Sequence, residues 1–342
     1  MQPSLTKVKF SEADALTIAL NRRRETQVKP VSLAPFGCKL LTLDYGQINL
    51  SFVDISAAMQ VVGAKDKEHL EFSFLLRGGV RDLLSHGVPI ATDVVFGFDP
   101  SREVNLILPA HSQVCVVQIH RQTFDGCAEA LGRSDLNNTF LGANYASLPH
   151  QSEVHDYLRS LYHLALSQPQ SLSQPQSLSQ PQSLSQPQSL SQGRSSHLIL
   201  EDFLPLLIDA LPRSQGKQVP WVSLRRADLV KQAQLYMESH LDKPLTLASL
   251  CQALHTSQRP LHYGFQEVFG VSPMAYLKLL RLIAVRHQLS QADPRQVTVT
   301  EIASHFGFWS SGHFSRDYKN LFGELPSVTL TNGKRHISNI PI

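Results

Sequence analysis

The sequence predicts an α+β chain whose strands and helices are segregated: a strand-rich N-terminal half followed by an all-α C-terminal domain. Two observations carry this reading. Short apolar runs rich in strand formers fill residues 32–121, separated by turn signals. Between Leu247 and Gly323 the same short grammar of helix, turn and helix is written twice. At 342 residues the chain is long enough for two or three domains with their own cores.

The N-terminal elements follow in order. Residues Ser11 to Asn21 read as a short helix opening on Ser11. Strand-forming runs then occur at Cys38 to Leu43, Ile48 to Ile55, Phe72 to Leu76, Val94 to Phe98, Val104 to Leu108 and Val114 to Ile119. Gly78-Gly79, Gly87, Asp99-Pro100 and Pro109 mark turns or edges, and the spacing predicts a sandwich or small barrel. Val154, Tyr157, Leu158, Leu161, Leu164 and Ala165 recur at helical spacing, so a helix is expected from Val154 to Leu166. Leu198 to Leu211 predicts a second helix, with Pro205 marking a late start or a kink. The apolar faces of this pair suggest either a dimer interface or burial against the strands.

Between those helices Ser-Gln-Pro-Gln-Ser-Leu is repeated four times, from Ser167 through Leu190. A Pro every six residues excludes a helix, and one Leu per unit cannot sustain a core, so 167–192 reads as a disordered insertion. Lengthening a loop costs only about 0.6 kcal/mol per doubling, so the array reads as dispensable. Deleting Ser173–Leu190 is expected to leave oligomeric state unchanged and to raise stability slightly at most, which sedimentation and thermal melts check.

The doubled segment is offset by 52 positions before its turn (Leu250 to Ile302, Cys251 to Ala303) and by 53 after it (Ser257 to Ser310, Leu261 to Phe314, Phe265 to Tyr318). One extra residue therefore sits in the second turn. Thr246 is placed to cap a helix over Leu247–Leu254, Ser257 the next helix, and Ser310 its counterpart. Inward positions are Leu261, Phe265, Val268 and Phe269, then Phe314, Tyr318 and Leu321. Outward positions are Gln258, Arg259, His262, Tyr263 and Gln266, then Ser311, Gly312, Ser315, Arg316 and Lys319. Gln and Arg side chains can make paired hydrogen bonds to adenine and guanine edges. A packed hairpin needs the apolar spacing but not this polar face. Between the units a long helix, Met274 to Ser290, carries Arg281 and Arg286, near DNA phosphates or in internal ion pairs. Gly264 in mid-helix predicts close approach by another helix, with this connecting helix the obvious candidate.

Charge agrees. From Arg225 onward there are 13 Lys/Arg against 8 Asp/Glu, a net of +5, while the first 224 residues carry −2. The four cysteines, Cys38, Cys115, Cys127 and Cys251, show no paired spacing, which argues against a disulfide framework or zinc site and for a reducing cytoplasm. No apolar run approaches the ~20 residues of a membrane helix, and no signal peptide is expected after Met1. An enzyme is the rival class. His69, His86, His111 and His120 are widely separated, and no phosphate loop, nucleophile motif or catalytic carboxylate pair is present, so no catalytic residue, cofactor or metal is expected. An architectural DNA-binding protein without an effector is the other alternative.

Residues 225–330 resemble the AraC/XylS family of bacterial transcription regulators. The resemblance rests on Leu245-Thr246-Leu247, Ser257, Leu261, Phe265, Phe269 to Pro273, Tyr276-Leu277, Arg281-Leu282, Ile302-Ala303, Gly307-Phe308, Ser310, Phe314 to Arg316, Tyr318-Lys319, Phe322-Gly323 and Pro326. It implies two helix-turn-helix units on a connecting helix, docking in adjacent major-groove segments of double-stranded DNA. The base-reading places fall on Gln258, Arg259, His262, Tyr263, Ser311, Gly312, Ser315 and Arg316, with Ser257, Arg281, Ser310 and Lys319 as candidate phosphate contacts. Two departures stand out: His255 replaces a usual Gly in the first turn, and Pro260 a usual small polar residue. The implied organisation is an effector-binding and dimerisation domain over 1–211 (a cupin-like β-barrel with a helical hairpin), a linker at 212–222, a DNA-binding domain at 223–330 and a flexible tail at 331–342. The expectation is a regulator in the bacterial cytoplasm, associated with the nucleoid and answering to an unidentified small-molecule effector. RNA polymerase and a second copy of the chain are its candidate protein partners.

Overall fold

The computed structural model describes residues 4–21, 25–79, 81–148, 151–167, 199–213 and 224–336. The repeat array beyond Ser167 and the linker from 214 to 222 lie outside the described residues. Twelve strands among the described residues form two antiparallel sheets. The larger has the order β1 (Ser4–Phe10), β3 (Cys38–Asp44), β4 (Ile48–Ile55), β11 (Gln113–His120), β6 (His69–Arg77), β9 (Val94–Phe96) and β12 (Tyr145–Ser147). The smaller runs β2 (Thr26–Pro30), β5 (Met59–Gly63), β10 (Val104–Leu108), β7 (Leu83–Ser85), β8 (Val88–Ile90).

The expected barrel is not closed. No ladder joins the two sheets among the described residues, and three of the four edge strands, β2, β8 and β12, are only five, three and three residues long. A short edge offers too few free N–H and C=O groups to bridge to a second sheet. β1 was not legible as a strand because Lys7 and Lys9 interrupt its apolar residues, the charged pattern of an exposed edge.

Alternation along the strands sorts side chains into layers. Met59, Val61, Leu83, Leu106 and Leu108 face the large sheet and join its inner residues Leu75, Phe96 and Val116 in one core. The opposite face of the large sheet, with Phe52, Phe72, Phe74, Cys115 and Val117, is covered by helices. Both faces of β6 and β11 are thus buried, and their sequences read as nearly continuous apolar runs. The covering helices are α2 (Arg121–Ala130), α3 (Asn138–Leu141), α4 (Gln151–Ser167) and α5 (Leu204–Ala210), the last entered through a π-helical turn at Ile199–Phe203. Pro205 sits in the first turn of α5, so it marks a late start rather than a kink. The first helix, α1 (Ala13–Leu20), begins two residues later than its Ser11 signal suggested, with Glu12 at the cap position.

Of the two roles open to the α4–α5 pair, burial is the one seen. Leu158, Phe203, Leu207 and Leu211 lie in the covered core, while Leu164 is 61% exposed. Arg133, in the loop after α2, locks α5 in place. Its guanidinium grips Asp135 through two 2.9 Å bonds and donates to the Ile208, Leu211 and Pro212 carbonyls at 2.5, 3.0 and 3.3 Å. A cation here satisfies the last carbonyls of the helix.

The C-terminal helices are α6 (Ala227–Glu238), α7 (Leu247–Ala253), α8 (Gln258–Val268), α9 (Pro273–Gln291), α10 (Val299–His305), α11 (Ser311–Phe322) and α12 (Pro326–His336). They enclose two cores. One gathers Val230, Met237, Leu250, Leu261, Phe265 and Tyr276; the other gathers Leu282, Val285, Ile302, Phe314 and Tyr318. The long helix α9 contributes to both, with Leu277 and Leu280 in the first and Leu279 and Leu282 in the second.

The outer face of the small sheet docks on these helices. Val31 and Leu84 are buried in the first helical core, and Ile107 packs against it. Gln234 on α6 donates to the buried Gln60 side chain at 2.8 Å, and Lys29 pairs with Glu238 at 2.6 Å. On the other side Arg286 of α9 pairs with Glu12 at 2.6 Å, its guanidinium 4.5 Å from the centre of the Phe322 ring. Between these contacts lies a cavity of about 670 Å³, lined by Val28, Phe36, Leu280, Ile283, Arg286 and Phe322 among others.

Candidate nucleic-acid interface

Each helix pair is started by a real cap. Thr246 accepts from the Ser249 N–H, and Ser249 reciprocates on the Thr246 N–H, a capping box at the start of α7. Thr298 and Glu301 form the same device at α10, and these hydrogen bonds from Thr298 hold the Glu301 carboxyl below its ordinary pKa. Ser272 caps α9 through the Ala275 N–H.

The second helix of each pair is different. Ser257 and Ser310 occupy the cap positions of α8 and α11, yet neither side chain makes a capping hydrogen bond. The capping expected of these two serines is therefore corrected. Their hydroxyls and the first N–H groups of both helices are left for another acceptor, the arrangement that suits an anion.

The turns match in shape. His255 has φ of 49° where its counterpart Gly307 has 79°, so the His occupies the left-handed conformation that favours Gly. His255→Gly is expected to raise stability by up to about 1 kcal/mol, since relieved strain is partly offset by a more flexible unfolded chain. Thermal melts check this, and a lower melting temperature would show that the His ring contributes packing instead.

On α8, Leu261, Gly264, Phe265 and Val268 are buried, while Gln258, Arg259, His262 and Tyr263 are exposed. The Arg259 guanidinium lies 5.6 Å from the centre of the Tyr263 ring, and Arg226 approaches the same ring at 5.8 Å. Gly264 does mark a close helix approach, but the neighbour is α6 and not α9. A Cβ added there would lie 2.8 Å from Val230 Cγ2 and 3.2 Å from Arg226 Cβ. The far end of α8 is held by the N-terminal domain: Arg81 donates to the Gln266 carbonyl at 2.7 Å. Gly270 has φ of 76°, the left-handed conformation that favours Gly, and a Cβ there would press on the Arg81 guanidinium at 2.7 Å.

On α11, Ser311, Gly312, Arg316 and Lys319 are exposed and Ser315 is half-buried. Nothing approaches the space a Gly312 Cβ would fill, which leaves the backbone open to close contact. Lys278 of α9 pairs with Asp317, tying this helix to the connecting one. His313, also exposed and one turn before Arg316, belongs to the same face and was missed because its repeat partner, Pro260, is apolar.

The two connecting-helix arginines have internal partners. Arg281 donates to the Leu241 carbonyl at 3.1 Å and the Lys243 carbonyl at 2.5 Å, and burial lowers its pKa from the ordinary arginine value. Arg286 is taken up by Glu12, Glu324 and Phe322. Arg281 thus holds the α6–α7 loop, which accounts for its guanidinium without a phosphate. Among the described residues Arg259, Arg316 and Lys319 form no ion pair, and all three are exposed, so their charges face solvent. A cation left in water beside open helix N-termini is what a polyanion recruits.

In the N-terminal domain the structure brings two of the four separated histidines together. His69 and His120 are cross-strand partners with ring centres 5.4 Å apart, and Asp66 holds His69 Nδ1 at 2.8 Å. His86 instead hydrogen-bonds the Glu103 carbonyl, and burial lowers its pKa. No group of three His, Cys, Asp or Glu suited to a metal ion occurs among the described residues.

Residues 250–332 match the family model of a helix-turn-helix domain. Over 102 residues the chain is 41% identical to a probable thc operon regulatory protein of Rhodococcus erythropolis, covering 30% of this chain and 31% of that protein. Over 99 residues it is 33% identical to XylDLEGF operon transcriptional activator 1 of Pseudomonas putida, covering 29% and 30% respectively. A solved structure, a probable AraC family transcriptional regulator from Rhodopseudomonas palustris, is 36% identical, with 31% of this chain and 97% of that one covered and a TM-score of 0.29. The similarity thus spans about a third of the length of these curated relatives.

Proposed function

Through its C-terminal domain this chain belongs to the AraC/XylS family of transcriptional regulators, and we propose that it binds DNA sequence-specifically through two helix-turn-helix units, α7–α8 and α10–α11. One observation carries the proposal. Two helices of matching register each present an exposed polar face and an uncapped N-terminus. Gln258, Arg259, His262 and Tyr263 read bases from the first unit, and Ser311, Gly312, Ser315 and Arg316 position the second. Ser257, Ser310 and Lys319 take backbone phosphates, while Arg281 acts through the loop it holds.

The N-terminal sheets, over residues 1–211, are proposed to sense a small-molecule effector. The sheet cores are filled by large side chains, whereas the cavity between the small sheet and α9 has room and mixed lining, so it is the pocket that supports this reading. A second copy of the chain, meeting at the exposed Leu164 end of α4, and RNA polymerase complete the partners. Among the described residues no single helix is long and apolar enough to cross a membrane, which suits a regulator working in the cytoplasm.

Selection of duplexes from a random-sequence library by the full chain tests the reading. A preferred site bound ~10³-fold or more tighter than bulk DNA is expected. Binding that is salt-dependent but indifferent to sequence would replace the regulator with an architectural protein.

A further inference from the structure

The position of the extra residue in the second turn is fixed by the backbone hydrogen bonds. In the first turn the His255 N–H donates to the Gln252 carbonyl and the Thr256 N–H to the Cys251 carbonyl, at 3.2 and 3.0 Å. In the second, Gly307 donates to Ser304 and Phe308 to Ala303, at 2.9 and 3.0 Å. Both pairs keep the offset of 52, while the cap residues Ser257 and Ser310 are already offset by 53. The inserted residue is therefore Trp309.

The fold makes no use of that side chain. Phe308 turns inward with its ring 5.1 Å from Phe314, whereas Trp309 is 83% exposed. Tyr263, at 49%, is the other aromatic among the exposed large hydrophobic residues. Both stand at the edges of the two polar helix faces. The first turn closes without any residue at this place, so neither the turn nor the core requires one. An indole can cover about 150–250 Å² of a partner's surface, and Trp is enriched where binding energy concentrates.

We propose that Trp309 is a DNA-contacting residue peculiar to the second unit, its indole laid against deoxyribose and thymine methyl groups at the rim of the groove that α11 enters. This rests on the DNA-binding reading above. The partner follows from continuity: Trp309 directly precedes the uncapped Ser310 and the exposed Ser311-Gly312 backbone, so a duplex seated on those groups meets the indole next. Thymine methyls and sugars are the apolar surface that a duplex offers there.

The chain has two tryptophans, Trp221 and Trp309, so Trp221→Phe leaves Trp309 as the sole indole reporter in the full-length protein. Titration with the duplex selected by the wild type should quench or blue-shift its emission. Trp309→Ala should weaken that duplex about tenfold, with an unchanged salt slope because no phosphate contact is lost. Its melting temperature should also be nearly unchanged, since the side chain is 83% exposed. Replacing thymines by deoxyuridine across the segment protected by the second unit should weaken the wild type but not Trp309→Ala. If wild-type protein selects no sequence, the regulator reading falls and this inference with it. If selection succeeds but emission and Trp309→Ala affinity stay as they were, only the inference is overturned. Emission that responds to RNA polymerase and not to DNA would overturn it in favour of a protein contact.

Discussion

Arg133→Ala should lower the stability of the N-terminal domain by about 3 kcal/mol, the largest effect expected of any single change here. The side chain is only 3% exposed, and its removal takes a bidentate donor from the Asp135 carboxylate and strands the carbonyls at the end of α5. Each buried acceptor left without a donor costs about 1–3 kcal/mol, and water can reach few of them. Arg133→Lys should rescue little, because one ammonium cannot serve a bidentate carboxylate and three carbonyls in fixed directions. Urea denaturation measures both variants. A loss below 1 kcal/mol for Arg133→Ala would mean that α5 is held by its apolar face alone.

The second large effect falls on binding. Arg259→Ala should weaken the preferred duplex by about 1–3 kcal/mol and relax base preference at one position, with the fold intact. Arg259 is exposed, near the start of α8, and its guanidinium lies over the Tyr263 ring. The salt dependence decides its role. A base contact leaves the slope of log affinity against log salt unchanged, whereas a phosphate contact lowers it by about one unit. Unaltered discrimination among single-base variants of the site would remove Arg259 from the set of readers.

Much of this architecture was legible in the sequence because local chemistry dictates it. Thr246 and Ser272 cap where a hydroxyl before an apolar period says they should. The buried positions Leu261, Phe265, Phe314 and Tyr318 obey helical spacing, and the runs at Ile48–Ile55 and Val104–Leu108 are the observed strands. What stayed hidden depends on residues distant in the chain. Gln234 meets Gln60 across 174 positions and Lys29 meets Glu238 across 209, and no periodicity encodes either contact. Gly264 announced a close neighbour but could not name it, since a missing Cβ says nothing about which helix fills the space. Arg281 and Arg286 showed their charge but not their partners. Ser257 and Ser310 resemble Thr246 in sequence, and only the structure shows that neither makes a capping hydrogen bond.

Helix α6 touches both halves of the molecule: Val230 seats against Gly264 of α8, and one turn on Gln234 grips the small sheet. A helix in contact with both is placed to make the two ends of the protein thermodynamically answerable to each other. Any compound that binds the sheet side better in one setting of α6 biases α8 by that difference and no more. The account must balance in reverse. If such a compound raises affinity for the duplex tenfold, the duplex raises affinity for the compound tenfold, so titrating the compound against protein with and without DNA gives the coupling from either side.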